Sequence, residues 1–189
     1  DYYTIAQNLW TPIGTDESHK FRGNFDGNNH KISGIYIKDD SFYMGLFGYT
    51  NNGNNKSKIE NVNIENSYVY NLFNYVDDSN LGYVNAGLLV GYAGYTNISN
   101  CTSKGEVKLV ITKYHTEYFN ADDFYFGGIT GRTNDSTIDS CINYADVSVT
   151  AKHDNVGVLE LYSYVGGIAG RAYKVNNSKN YGNVYFDDF

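Results

Sequence analysis

Four pairs of adjacent aspartates, Asp39-Asp40, Asp77-Asp78, Asp122-Asp123 and Asp187-Asp188, are the first residues of this sequence that could do chemistry. Paired carboxylates can act as acid and base on a glycosidic bond, or hold calcium when alternate positions are acidic. The spacing supports neither. Asp39-Asp40 and Asp122-Asp123 fall eight and nine residues before a recurring glycine, so they read as loop termini of a scaffold rather than a unique catalytic convergence. The histidines His19, His30, His115 and His153 form no His-Glu-x-x-His pair, and no Gly-x-Ser-x-Gly elbow is present. His30 reads as a structural residue of a turn. Cys101 and Cys141 are too few for a zinc site or a disulfide framework. The expectation is therefore a non-enzymatic chain with no catalytic residues, no metal and no cofactor.

Composition narrows the partners. The chain has 189 residues, a net charge of −7, 20 tyrosines, 20 glycines and a single proline. Tyr, Ile, Val and Thr favour strands, and the balance reads as all-β. Lys and Arg form no cluster, which argues against nucleic acid, since such binding runs on phosphate neutralisation. No apolar run reaches 18 residues, so no helical membrane insertion is expected. The chain opens at Asp1 without a methionine, and the expectation is a segment of a longer protein whose flanking domains are its neighbours.

These residues are positioned by a repeat. "MGLFG" (44–48), "GLLVG" (87–91), "GGITG" (127–131) and "GGIAG" (166–170) recur at a period of about 40 residues. Each is followed by a second motif that begins at Ile59, Ile98, Ile138 or Val175. Val62, Cys101, Cys141 and Ser178 sit three residues after those starts. Helical pairs are disfavoured by the Gly and Asn punctuation, and a propeller blade by the lack of four strands per unit. The pattern predicts a parallel β-helix (β-solenoid), right-handed by the crossover rule. Its units are an N-terminal strand/turn unit over 1–40 and repeats over 41–83, 84–123, 124–162 and 163–189, all within one domain spanning 1–189.

Read as a strand, "GGIAG" puts Gly166, Ile168 and Gly170 on one face. The equivalents Leu46, Leu89 and Ile129 then point inward. The glycines leave room for a tight corner or a bulky neighbour, and Phe42, Tyr125 and Tyr164 are candidates to fill that gap. The second motif puts Cys141, Asn143, Ala145 and Val147 on one face. Stacking sets Cys101 about 4.8 Å from Cys141, one inter-strand step. A disulfide is geometrically allowed there, and a ladder of buried thiols continued by Ser178 is preferred. Asn143 and Asn180 are expected to form an amide ladder. "NFDGNNHKI" reads as two strand-like arms around a turn at Asp26-Gly27-Asn28.

The run "W-x-PIG", "F-x-G-x-FDG-N-x-H-x-I-x-G", "GLFG", "GGI-x-G" and "I-x-x-C-x-N-x-G-x-V" resembles bacterial GLUG-motif proteins. "GLLVG" departs from the pattern by one inserted residue. The resemblance implies a right-handed β-helix segment of a secreted or surface-anchored, adhesin-like protein. It is also seen in non-catalytic regions of immunoglobulin A-specific metallopeptidases. The implied location is extracellular, at the bacterial cell surface.

If repeated residues are scaffold, function falls to the long inserts over 67–82, 111–123 and 150–162, which leave successive repeats on one side. They concentrate aromatics, and Tyr70, Tyr75, Tyr114, Tyr118, Phe119 and Tyr162 are the candidate ligand-binding residues. Tyr offers rigid contact area plus a hydroxyl, which suits carbohydrate binding or a host surface protein. Packing of the same rings as further strands is the competing reading. The predicted function is an adhesin-like binding module, with a structural stalk, or an ancillary domain of a peptidase or glycan-degrading enzyme, as alternatives.

Overall fold

The computed structural model describes residues 10–74, 83–113, 123–151 and 162–188. An opening unit contributes β1 (Phe25–Asp26), β2 (Lys31–Ser33) and β3 (Tyr36–Asp39). The first repeat supplies β4 (Tyr43–Met44), β5 (Phe47–Asn51), β6 (Ser57–Glu60) and β7 (Asn63–Asn74), and the second β8 (Val84–Ala86), β9 (Val90–Gly94), β10 (Thr96–Ser99) and β11 (Thr102–Lys113). The third supplies β12 (Asp123–Gly127), β13 (Thr130–Asn134), β14 (Thr137–Asp139), β15 (Ile142–Asn143) and β16 (Asp146–Ala151). The fourth supplies β17 (Tyr162–Gly166), β18 (Ala169–Arg171), β19 (Lys174–Asn176), β20 (Lys179–Asn180) and β21 (Val184–Asp188).

Strands do not pair with their chain neighbours. Each pairs in parallel with its counterpart from the next repeat, giving sheets ordered β4-β8-β12-β17, β5-β9-β13-β18, β1-β6-β10-β14-β19 and β2-β7-β11-β15-β20, the last extended by β3, β16 and β21. The fold is all-β with stacked parallel sheets, the order expected of a β-solenoid. Equivalent residues therefore lie over one another. Phe25, Ile59, Ile98, Ile138 and Val175 form one file, and Ile37, Val69, Val107, Val147 and Val184 another. Burying each such side chain stabilises the fold by about 1.5–3 kcal/mol. The files lose cover at the last repeat, where Val184 is 43% exposed against 0% for Val147.

The glycine motif is not one strand, as the alternation reading had it. It is a corner. Gly127 ends β12, Gly128 and Ile129 bend, and Thr130 opens β13. Leu46, Leu89 and Ile129 are buried there, and Ile168 packs against them. The final glycines Gly48, Gly91, Gly131 and Gly170 stack in register on the outer side of the bend. A Cβ on Gly91 would sit 2.7 Å from Asn85 O, Gly48 O and Met44 N, all backbone atoms. The bend is concave outward, so only hydrogen fits between the two sheets. Gly128 and Gly167 serve the inner side instead, where a Cβ would fall 2.1 Å from the Asn143 and Asn180 side chains respectively. Where the stacked residue is the smaller Ser103, the corner carries Leu88.

That amide ladder is present. Asn143 Nδ2 donates to Asn180 Oδ1 at 2.7 Å and Ser103 Oγ to Asn143 Oδ1 at 2.6 Å. The thiol ladder also forms: Cys101 and Cys141 are free and buried. Their thiols donate to Ser99 O (3.1 Å) and Asp139 O (3.4 Å), and Ser178 Oγ repeats the contact with Asn176 O at 2.8 Å. The neighbouring Cys141 thiol, together with burial, pushes the Cys101 thiol up from its ordinary pKa.

Three expectations need correction. The turn at Asp26-Gly27-Asn28 exists, closed by His30 N–H to Gly27 O at 2.8 Å, but β1 and β2 enter different sheets and do not pair with each other. It is the first of a stack of corners whose left-handed residues are Asn29, Asn61, Asn100, Ser140 and Asn177. The aromatic column beside the glycines is Tyr43, Tyr125 and Tyr164, not Phe42. It lies on the face opposite the core residues Phe124 and Phe126, and Tyr43 joins it because the first repeat is one residue shorter between Met44 and Phe47 than the second is between Ala86 and Val90. A shift of one residue turns a strand position to the opposite face. The acidic pairs are not equivalent either: Asp39 pairs with Asn71, whereas Asp123 pairs with Tyr162 in another sheet.

Gly91→Ala is expected to destabilise the chain by about 3 kcal/mol or more, because backbone on both sides must move. At Gly34 a Cβ meets nothing within 4 Å, so Gly34→Ala carries only the strain of its φ of +77°, about 1–2 kcal/mol. Urea unfolding of the two variants, compared with the native chain, checks this ordering.

Candidate functional site

Of the six candidate binding residues, Tyr75, Tyr114, Tyr118 and Phe119 lie outside the described residues. Tyr162 opens β17 opposite Asp123, and its side chain is likewise outside the description. Tyr70 is fully placed. It does not stand in a loop: 67–74 continues β7, and 111–113 continues β11. Along β7, Val69 and Asn71 are buried, so Tyr68, Tyr70 and Leu72 face outward. The packing reading was thus right that this segment is strand, but its rings lie outside the core.

Parallel register builds the surroundings of Tyr70. Lys38 and Lys108 are its partners on the two flanking strands. Its hydroxyl donates to Glu106 Oε2 at 2.5 Å. The Tyr36 ring meets it edge-on at 6.1 Å, and the Tyr68 ring lies near-parallel at 6.2 Å. With Leu72 and Val110, all of these groups except Tyr68 line a shallow depression of about 320 Å³. The floor is apolar and aromatic, with ammonium groups on either side and one carboxylate held by a phenol. That combination stacks a flat ligand and hydrogen-bonds its polar edge. It offers no nucleophile and no second carboxylate to act as partner to Glu106. Among the described residues no three His, Cys, Asp or Glu side chains converge on a point that could hold a metal ion.

A second outer feature runs along the glycine corner. The residues after the final glycines are Tyr49, Tyr92, Arg132 and Arg171, in register on successive strands. Across the concave bend, Tyr43 meets Tyr49 edge-on at 4.8 Å, and Tyr49 leans on Tyr92 at 4.6 Å. Further along, Tyr125 stacks on Tyr164 at 4.9 Å. The Arg132 guanidinium lies over the Tyr125, Tyr83 and Tyr92 rings at 4.9, 5.4 and 5.9 Å. Sequence reasoning passed over this file, although its signal was available: the residue following each final glycine is large and either aromatic or basic. Burial is the first cause that pushes the Tyr43, Tyr49 and Tyr92 phenols up, Tyr49 to about 12, and the nearby Glu17 carboxylate adds to it.

One repeat of this frame has a recognisable pattern. A family model described as the GLUG motif matches residues 82–108, which take in β8, the glycine corner, β9, β10 and the start of β11. The chain is a GLUG-containing protein. A Gly-rich membrane protein of Evansella cellulosilytica is 36% identical to it over 61 residues, 32% of this chain and 7% of that protein. The match thus spans a small part of the relative's length. No solved structure matches the chain. No helix among the described residues is long and apolar enough to cross a membrane.

The tyrosine shifts fix a pH dependence. Tyr49 ionises at about 12 in the fold against 10.0 when free. The unfolded chain therefore loses its proton first, and the stability this group contributes is intact below pH 10 and lost as pH rises through about 12. An alkaline titration by ultraviolet difference absorbance should show tyrosines ionising late, together with loss of the fold. In Tyr49→Phe the late-ionising component should shrink.

Proposed function

We propose that the chain is a right-handed parallel β-solenoid displayed outside a bacterial cell, where it acts as a non-catalytic recognition module for a glycan or a surface protein. The observation that carries this reading is the depression around Tyr70. It is an aromatic, partly apolar surface flanked by Lys38 and Lys108, on the sheet whose strands β7, β11 and β16 run up to the inserts. The GLUG motif supports the solenoid, and the relative named as a membrane protein supports a surface location. Handedness follows from the general rule for crossovers between parallel strands. The second reading is a stalk that holds another domain away from the cell. It is favoured by the continuous stacking of the repeats, which needs no ligand.

The test is binding of the purified chain to a glycan and matrix-protein array. It is run beside Tyr70→Ala and beside a variant combining Tyr114→Ala, Tyr118→Ala and Phe119→Ala. Tyr70 is outward-facing, so the fold is expected to survive its truncation. A bound ligand should be held about tenfold or more weakly by Tyr70→Ala, the loss typical of a truncated aromatic anchor. Glu106→Gln should weaken it less. If the folded native chain is silent on every ligand, the stalk reading takes its place.

A further inference from the structure

We infer that the glycine corner carries a second binding site, independent of Tyr70, that takes an extended anionic sugar chain on Arg132 and Arg171, neighbours on adjacent strands. The two arginines are direct cross-strand partners on β13 and β18. Like charges placed opposite one another on neighbouring strands destabilise a sheet. Among the described residues neither arginine makes an ion pair, in a chain whose net charge is −7. Arg132 is offset by the aromatic faces beneath it, but Arg171 is exposed. On β12 the Asp123 carboxylate is already engaged, accepting the Tyr125 hydroxyl at 2.6 Å. A carboxylate or sulfate lying across both forks would relieve the repulsion and gain charge-assisted hydrogen bonds.

The rest of the corner favours a sugar over an acidic peptide. Tyr164 is 41% exposed and lies flat on Tyr125, and Tyr83 is 54% exposed beside Arg132. These rings offer faces on which a pyranose can stack. The rows advance by about 4.8 Å per strand along the stack, close to the advance of one residue in an extended glycan. A polymer lying along the corner would therefore meet equivalent groups in successive repeats.

Isothermal titration of the intact chain with oligogalacturonate, its methyl ester, a sulfated heparin oligosaccharide and a neutral dextran oligosaccharide tests the proposal. At least one of the two anionic sugars should bind, weaken with added salt, and exceed the ester and the dextran by about tenfold or more. The tighter of the two identifies carboxylate or sulfate as the recognised group. Arg171→Gln should lose most of this binding, Arg171→Lys should fall between Gln and the native chain, and Tyr181→Ala, which removes an exposed ring between β20 and β21, should change nothing. Both anionic sugars held no tighter than the ester and the dextran, unchanged binding by Arg171→Gln, an equal loss with Tyr181→Ala, or no anionic sugar bound by a cooperatively melting chain would each overturn it.

Discussion

Everything in this chain depends on parallel strands from successive repeats lying in register, one inter-strand step apart. Each residue is then fixed against its own counterpart above and below, so side chains select one another in files rather than in pairs. The core shows the result: Ile59 over Ile98 over Ile138, and Val69 over Val107 over Val147, all buried. Register also dictates what the corners must be. Two sheets meeting at an outward-concave bend approach so closely that Gly91 is hemmed in by backbone on three sides. At the opposite corners the chain must turn through left-handed backbone, and Asn61, Asn100 and Asn177 supply it because a short amide side chain tolerates that conformation.

The same constraint shapes the interior polar groups. A buried amide is costly unless it is bonded. Asn143 meets that demand through Ser103 and Asn180 in its own file and through the Ala145 backbone, and glycine at 128 clears the space its side chain fills, as glycine at 167 does for Asn180. Cys101 and Cys141 are held in the same way, their thiols turned onto the strand carbonyls two residues back. Such files end where the stack ends, which is why Val175, Val184 and Phe186 are exposed although their counterparts or neighbours are covered.

With the inside filled, only the outer faces are left to meet other molecules, and stacking arranges these into files as well. Lys38, Tyr70 and Lys108 form one row, and Tyr49, Tyr92, Arg132 and Arg171 another. Both combine aromatic faces with cations on a chain that is acidic overall. Neither provides the convergent acid, base or nucleophile that bond-breaking chemistry requires.

The sequence by itself determined the repeat, the stacked parallel architecture, the inward aliphatics at the corners, and the thiol and amide ladders. Each of these is a matter of identity at a fixed period, and period survives in a linear string. Only the tertiary structure decided which side of the glycine bend is concave. It also decided that one residue fewer between Met44 and Phe47 brings Tyr43, rather than Phe42, into the outer column. In a strand a shift of one position exchanges inside for outside, and a motif aligned on its final glycine does not reveal where the missing residue lies. The surroundings of Tyr70 were hidden for a related reason. Lys38, Glu106 and Lys108 are more than thirty residues away along the chain, and only register between three strands places them beside it.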